Sequence, residues 1–213
     1  MAVVYTLTRG LAIACFSTFG GFEVRGREAV PPRGRLLVVA NHQSNADPPV
    51  LAAALPRHVS FVGKRALLRW PIASWYLRTI GSFPIDRDGR DTEAVRWILR
   101  SLEKEEVVGI FPEGTRSLHG MRRATHGIAY LALKSNATIL PVGITGTEKI
   151  QQIWRVPMPL CRLRVNIGQP FSLPVIEGRL ETPVLKSLAD MIMERVAALL
   201  PEKYRGAYGE AVR

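Results

Sequence analysis

A histidine and an aspartate five residues apart, His42 and Asp47, sit in the stretch Asn-His-Gln-Ser-Asn-Ala-Asp-Pro. A carboxylate on one imidazole nitrogen fixes the tautomer and leaves the other nitrogen free as a base. If the loop between them makes one helical turn, the two side chains meet. His42 is then a general-base candidate, and Asp47 orients it and balances the imidazolium. Taken alone, the same spacing fits a solvated loop. Ser44 lies two residues from His42, which is poor geometry for a nucleophile and its base. His58, His119 and His126 have no partner evident from the sequence and read as packed or solvated, with His126 facing the site as the alternative. Cys15 and Cys161 show no metal-ligand spacing and read as reduced thiols. The Gly-x-Ser-x-Gly elbow of an esterase is missing.

The elements that must hold this pair are legible beside it. Residues 36–40, Leu-Leu-Val-Val-Ala, have the length and composition of a strand buried on both faces. His42 and Asp47 follow its end, where open α/β sheets place ligands. Pro48 and Pro49 suit the first turn of a helix running to about residue 55. A second buried strand, 107–111, leads into Phe-Pro-Glu-Gly-Thr-Arg-Ser (111–117). Further strands are expected at 22–25, 59–62, 81–85, 138–144 and 162–167. Pro141 argues for an edge position or an interrupted ladder. Helices are expected at 92–104, at 125–135 with Thr125 as the cap, and at 181–200, followed by a polar tail over 201–213. Strands alternating with helices predict an α/β domain, a mixed, largely buried sheet flanked by helices.

Four blocks in order carry a resemblance: Asn-His-x4-Asp at 41–47, Phe-Pro-Ile-Asp-Arg at 83–87, Phe-Pro-Glu-Gly-Thr-Arg-Ser at 111–117, and Ile-Leu-Pro-Val at 139–142. Together they resemble the glycerolipid acyltransferase family, most closely its 1-acylglycerol-3-phosphate acyltransferase subgroup, over residues 24–168. The resemblance implies a mixed sheet preceded by N-terminal helices. It also implies direct acyl transfer from a bound thioester to an acceptor hydroxyl, giving phosphatidic acid, with no acyl-enzyme intermediate. His42 and Asp47 fall on the catalytic block. Arg87, Glu113, Gly114, Thr115 and Arg116 fall on the substrate-binding blocks, and Lys64, on a basic strand end, joins the arginines as a phosphate cation. Arg offers phosphate a bidentate grip. Glu113 could accept a bond from the acceptor hydroxyl, and Gly114 permits close backbone approach. The bland alternatives are ion pairs, Arg87 with Asp86 or Asp88 and Glu113 with Arg116. No cofactor or metal is implied, since acyl-CoA or an acyl-loaded carrier protein is the co-substrate. Other acceptors stay open: glycerol-3-phosphate, a lyso-ornithine lipid, a lysophospholipid or a glycolipid. A non-catalytic membrane-binding module is the reading from a different class.

Charge points the same way. Of 213 residues, 29 are basic and 18 acidic, a formal net charge of +11. That balance suits anionic lipids or phosphorylated substrates. No nucleic-acid motif accompanies it. Residues 1–22 carry one charged side chain, Arg9, with apolar residues at helical spacing. The run is too short for the roughly 20 residues that span a bilayer, and it has neither the basic start nor the cleavage site of a signal peptide. It reads as a helix in the membrane interface, or else one docked on the core. The expected organisation is a 1–22 interface helix and a 23–213 acyltransferase domain, associated with the cytoplasmic face of a membrane. Residues 67–80 read as an apolar hairpin with basic flanks, core packing or a lipid-facing surface.

Overall fold

The structure, a computed structural model, describes residues 2–64, 74, 81–85, 92–174, 176 and 180–210. The expected 67–80 hairpin, residue 74 apart, and the 86–90 turn with Arg87 fall outside them, as does the side chain of Lys64.

Leu36–Ala40 forms strand β2, and all five residues are fully buried. The other strands are β1 (Phe22–Arg25), β3 (Val59–Lys64), β4 (Phe83–Ile85), β5 (Val107–Ile110), β6 (Thr138–Thr145) and β7 (Leu163–Ile167). Among the described residues they make one seven-stranded sheet in the order β1-β7-β6-β2-β5-β3-β4. All neighbours are parallel except β6 and β7. The sheet is therefore mixed, as expected, with β2 near its centre.

Side chains alternate across a strand with period two, and β2 shows the consequence. Leu36, Val38 and Ala40 join an apolar layer with helix α2 (Asp47–Ala54) and helix α1 (Ala2–Phe19). Leu37 and Val39 point the other way, into a layer built from helices α3 (Thr92–Glu103), α4 (Gly127–Ser135) and α5 (Thr182–Ala197). Helices on both faces are why β2 has no polar position.

One expectation is decided between its two alternatives, and two need correction. The sheet edge is not where Pro141 sits, because β6 has β2 on one side and β7 on the other. The interrupted-ladder alternative holds: pairing with β7 ends at Val142, the Pro141 carbonyl accepts from the Gly168 N–H, and Ile139 pairs with Phe171 beyond the break. A missing N–H costs nothing where the partner strand has already left. Thr125 does not cap α4 through its side chain; His126 occupies the cap position, and no side chain bonds there. The 201–213 tail is not simply polar coil. Glu202–Arg205 and Gly206–Tyr208 form short helices, and Tyr208 is buried. Its hydroxyl accepts the Ala124 N–H at 2.9 Å and donates to Asp190 at 3.0 Å.

Helix α1 has two characters. Tyr5 and Phe16 are buried, Val59 N–H donates to the Tyr5 hydroxyl at 3.4 Å, and the Arg9 Nε donates to the Leu55 carbonyl at 3.1 Å. Across the helix Val3, Leu7 and Leu11 are 72%, 68% and 66% exposed. The helix is thus docked on the core by one face and bare and apolar on the other. Among the described residues no helix is long and apolar enough to cross a membrane.

Candidate active site

β2 and β5 are parallel neighbours, with Val39 opposite Ile110. Their C-terminal ends therefore release two loops side by side, one carrying His42 and Asp47, the other Glu113 to Arg116. Asn41 fixes the first loop at its root. Its amide donates to the Ile144 carbonyl at 2.9 Å and its carbonyl accepts the Ile144 N–H at 2.7 Å, which ties the end of β2 to the end of β6.

The loop then wraps around the Asp47 carboxylate. Oδ2 accepts the backbone N–H of Gln43 at 2.6 Å and of Ser44 at 2.8 Å, and lies 2.8 Å from His42 Nδ1. Asp47 is fully buried and opens α2, where the positive helix end favours a carboxylate. An ionised carboxylate only accepts, so His42 Nδ1 carries the proton of this contact and Nε2 is the free basic nitrogen. The His42 side chain is 16% exposed. Its ring stacks on Phe111, with centroids 4.4 Å apart at 24°.

Glu113 lies beneath the pair. Its Oε1 accepts the His42 N–H and its Oε2 the Arg122 N–H, both at 2.8 Å. Among the described residues it makes no ion pair with Arg116, so that alternative fails. With one N–H on each oxygen and the side chain buried, Glu113 fixes backbone. Burial pushes its carboxyl above the ordinary carboxylate range, against the pull of those two N–H groups. The Ser117 N–H donates to the His42 carbonyl at 2.8 Å. Both backbone groups of His42 are thereby held by the second loop.

Gly114 turns that loop with φ of 69°, a conformation that favours glycine. Thr115 is half-buried and Arg116 exposed at the mouth of the site. Lys64 ends β3, on the far side of β5 from β2, at the same end of the sheet. Ser44 is buried, and its hydroxyl donates to the Ile150 carbonyl. It braces the loop and is closed off as a nucleophile. Sequence reasoning missed the stacking role of Phe111 and the bracing role of Ser44. The first had a signal, its place in the Phe-Pro-Glu-Gly-Thr-Arg-Ser block. The second had none, since its partner Ile150 lies outside every block.

Comparison with known proteins gives a consistent picture. The family model described as Acyltransferase matches residues 21–145. The chain is 27% identical over 177 residues to a 1-acyl-sn-glycerol-3-phosphate acyltransferase of Streptococcus pneumoniae, covering 81% of this chain and 64% of that protein. It is 35% identical over 127 residues to a lyso-ornithine lipid O-acyltransferase of Pseudomonas aeruginosa, covering 58% of this chain and 48% of that one. It thus matches about half to two thirds of the length of these relatives. The crystal structure of the 1-acyl-sn-glycerophosphate acyltransferase PlsC from Thermotoga maritima superposes with a TM-score of 0.68 at 23% identity, over 88% of this chain and 76% of that one. The likeness to PlsC is one of fold.

Proposed function

The chain belongs to the acyltransferase family, and from that premise we propose that it acylates the free hydroxyl of 1-acylglycerol-3-phosphate, giving phosphatidic acid. The donor is an acyl thioester, acyl-CoA or an acyl-loaded carrier protein. The observation that carries the reading is the 2.8 Å contact of His42 Nδ1 with a buried Asp47, in a loop whose backbone is held by Glu113 and Ser117.

In this reading His42 Nε2 takes the proton of the acceptor hydroxyl as its oxygen attacks the thioester carbonyl carbon. The C–O bond forms, the C–S bond breaks, and the imidazolium returns the proton to the departing thiolate. Asp47 holds the ring and balances its transient charge. The acceptor hydroxyl stands where a hydrolase would use a serine. Arg116, with Arg87 and Lys64, holds the phosphate. Gly114 and Thr115 line the approach. The 1–22 segment associates with the cytoplasmic face of a membrane, and residues 23–213 form the catalytic domain.

The test is purified protein with labelled acyl-CoA or acyl-carrier protein and a panel of lyso-acceptors, with products identified by mass. Phosphatidic acid is the expected product, and transfer to none of the acceptors overturns the reading. A second acceptor belongs in the panel on a specific ground: the 35% identity to the Pseudomonas protein is higher than that to the pneumococcal one. Preferential acylation of lyso-ornithine lipid would reassign the substrate and keep the chemistry. Initial rates should require both substrates to bind before chemistry. Ping-pong behaviour would require an acyl-enzyme and contradict direct transfer.

A further inference from the structure

Among the described residues, large apolar side chains stand exposed on α1 and on one loop, and beyond these only at Leu118 and Val184. The loop joins β6 to β7, and within it Ile153, Trp154, Met158 and Leu160 face solvent, Trp154 at 67% and Leu160 at 62%. Leu160 is held out by a backbone φ of 51°, a conformation that disfavours leucine.

The two apolar segments are neighbours. A Cβ at Gly20, just past the end of α1, would collide with the Cys161 carbonyl and with Pro159. The Leu163 N–H donates to the Gly21 carbonyl at 2.9 Å. Inside, Val156 and Cys161 pack in the same cluster as Ala12 and Ile13. The loop is also rooted beside the candidate catalytic loop. Ile150 accepts from the Ser44 hydroxyl, and the Thr147 hydroxyl donates to Gln43 Oε1 at 3.4 Å.

Charge selects the occupant. Between residues 149 and 164 lie Lys149, Arg155, Arg162 and Arg164, with no acidic residue; Arg164, on β7, is ion-paired with Glu23 at 3.1 Å, which leaves Lys149, Arg155 and Arg162 to the loop. Glu148, immediately before, is engaged by the Gly146 N–H and the Tyr204 hydroxyl. Arg155 bonds the Lys149 and Pro159 carbonyls, which keeps the loop closed on itself. Exposed tryptophan and leucine among cations suit an anionic bilayer, with rings and aliphatic side chains at headgroup depth and cations on phosphate. A second copy of a chain with net charge +11 would bring like charges together.

We propose that the Ile153–Leu160 loop is the second half of a bilayer-docking surface, inserting beside α1 and turning the open side of His42 towards the membrane. The proposal rests on the lipid acyl-transfer reading, yet its test needs no catalysis. The full chain and its Trp154→Phe variant are mixed with phosphatidylglycerol-containing vesicles whose acyl chains carry bromine. The parent should lose tryptophan fluorescence, and the variant should bind equally while lacking that quenched component. The other tryptophans, Trp70, Trp75 and Trp97, are common to both and cancel in the difference. The combined Ile153→Ser, Trp154→Ser, Met158→Ser and Leu160→Ser variant should partition about tenfold or more weakly, while Val184→Ser should partition like the parent. On detergent-dispersed acceptor the combined variant should keep its rate. Absence of a quenching difference overturns the proposal, as does unchanged partitioning of the combined variant, which would leave docking to α1 alone. A combined variant altered only in sedimentation assigns the patch to self-association and overturns it too. Failure of acyl transfer by the parent, with vesicle results as expected, counts against the functional reading alone.

Discussion

The two loops at the mouth of the site are built differently. In the first, His42 and Asp47 are bonded to each other, and Asp47 Oδ2 also takes two backbone N–H groups. In the second, Glu113 is wired inward by two N–H groups, while Arg116, three residues along the same chain, stands exposed with no ion-pair partner among the described residues. Proton transfer needs a base fixed to within a fraction of an ångström, and the support of the imidazole is buried and gathered on Asp47 Oδ2, while Asp47 Oδ1 has no hydrogen-bond partner among the described residues. A phosphate-gripping cation needs only to reach its ligand, and an unpaired one pays no cost of breaking an ion pair first. If this contrast is functional, substitutions in the first loop should lower kcat and those at the exposed end of the second should raise KM.

The largest effect is expected at His42. General-base catalysis contributes about 10²–10⁴-fold, so His42→Ala should lower kcat by about three powers of ten. Circular dichroism and vesicle binding should be unchanged, since the ring is at the surface end of its stack. Activity near the parent level would sink the mechanism.

Asp47→Asn comes next. An asparagine keeps its amide oxygen towards the Gln43 and Ser44 N–H groups, because a flip would set NH2 against two donors. The tautomer of His42 is then preserved, the charge is lost, and the amide NH2 takes the place of Oδ1, a buried atom with no hydrogen-bond partner among the described residues. A fall in kcat of about 10²-fold, with KM within about twofold, is expected. A larger loss accompanied by loosened fold would mean that the carboxylate's main task is to hold the loop.

How much of this was legible beforehand differs between the same regions. Residues 36–40 announced a doubly covered strand because burial on both faces forbids polar positions. The His42–Asp47 pair was legible because it is local: one turn of chain brings them together. The role of Glu113 was not, since its partners are backbone N–H groups of His42 and Arg122, and backbone donors leave no mark on residue type. Nor was the burial of Tyr208. Its partners, Ala124 and Asp190, are far away in sequence, and the segment around it is rich in charge. Pro141 was ambiguous because the rule against proline in strands concerns a missing partner, which the order of strands decides.

Arg116→Ala sharpens the contrast from the other side. A charge-assisted bond is worth roughly 1.5–3 kcal/mol, so KM for a phosphate-bearing acceptor should rise by about one to two powers of ten. The KM for the thioester should change less. Arg116→Lys should restore only part, because the ammonium lacks the guanidinium fork. Unchanged acceptor kinetics in both variants would move the phosphate to Arg87 and Lys64.

The smallest effect on rate, and the sharpest on stability, is expected at Glu113. Two backbone N–H groups favour its ionised form and burial disfavours it, and burial wins: the carboxyl sits above its ordinary value near 4.5. The folded state therefore holds its proton to higher pH than the unfolded chain does. Between the ordinary value and the raised one the native protein binds more protons, so this group's contribution to stability falls as pH rises and is level beyond. Glu113→Gln has no such proton. Its amide can accept only one of the two N–H groups, which leaves a buried donor unmet at a cost of about 1–3 kcal/mol. The variant should thus be the less stable protein, and its deficit should shrink as pH rises from about 4.5 through the window set by the raised pKa. Urea unfolding of both proteins across that range measures the deficit directly. A deficit that grows with pH would mean that the two N–H bonds outweigh burial and hold the carboxylate ionised. In that event the support under His42 is an anion anchored by its own charge. With a shrinking deficit the support is steric and hydrogen-bonded, and the kcat of Glu113→Gln should fall by no more than about tenfold, since the Ser117 N–H still holds the His42 carbonyl.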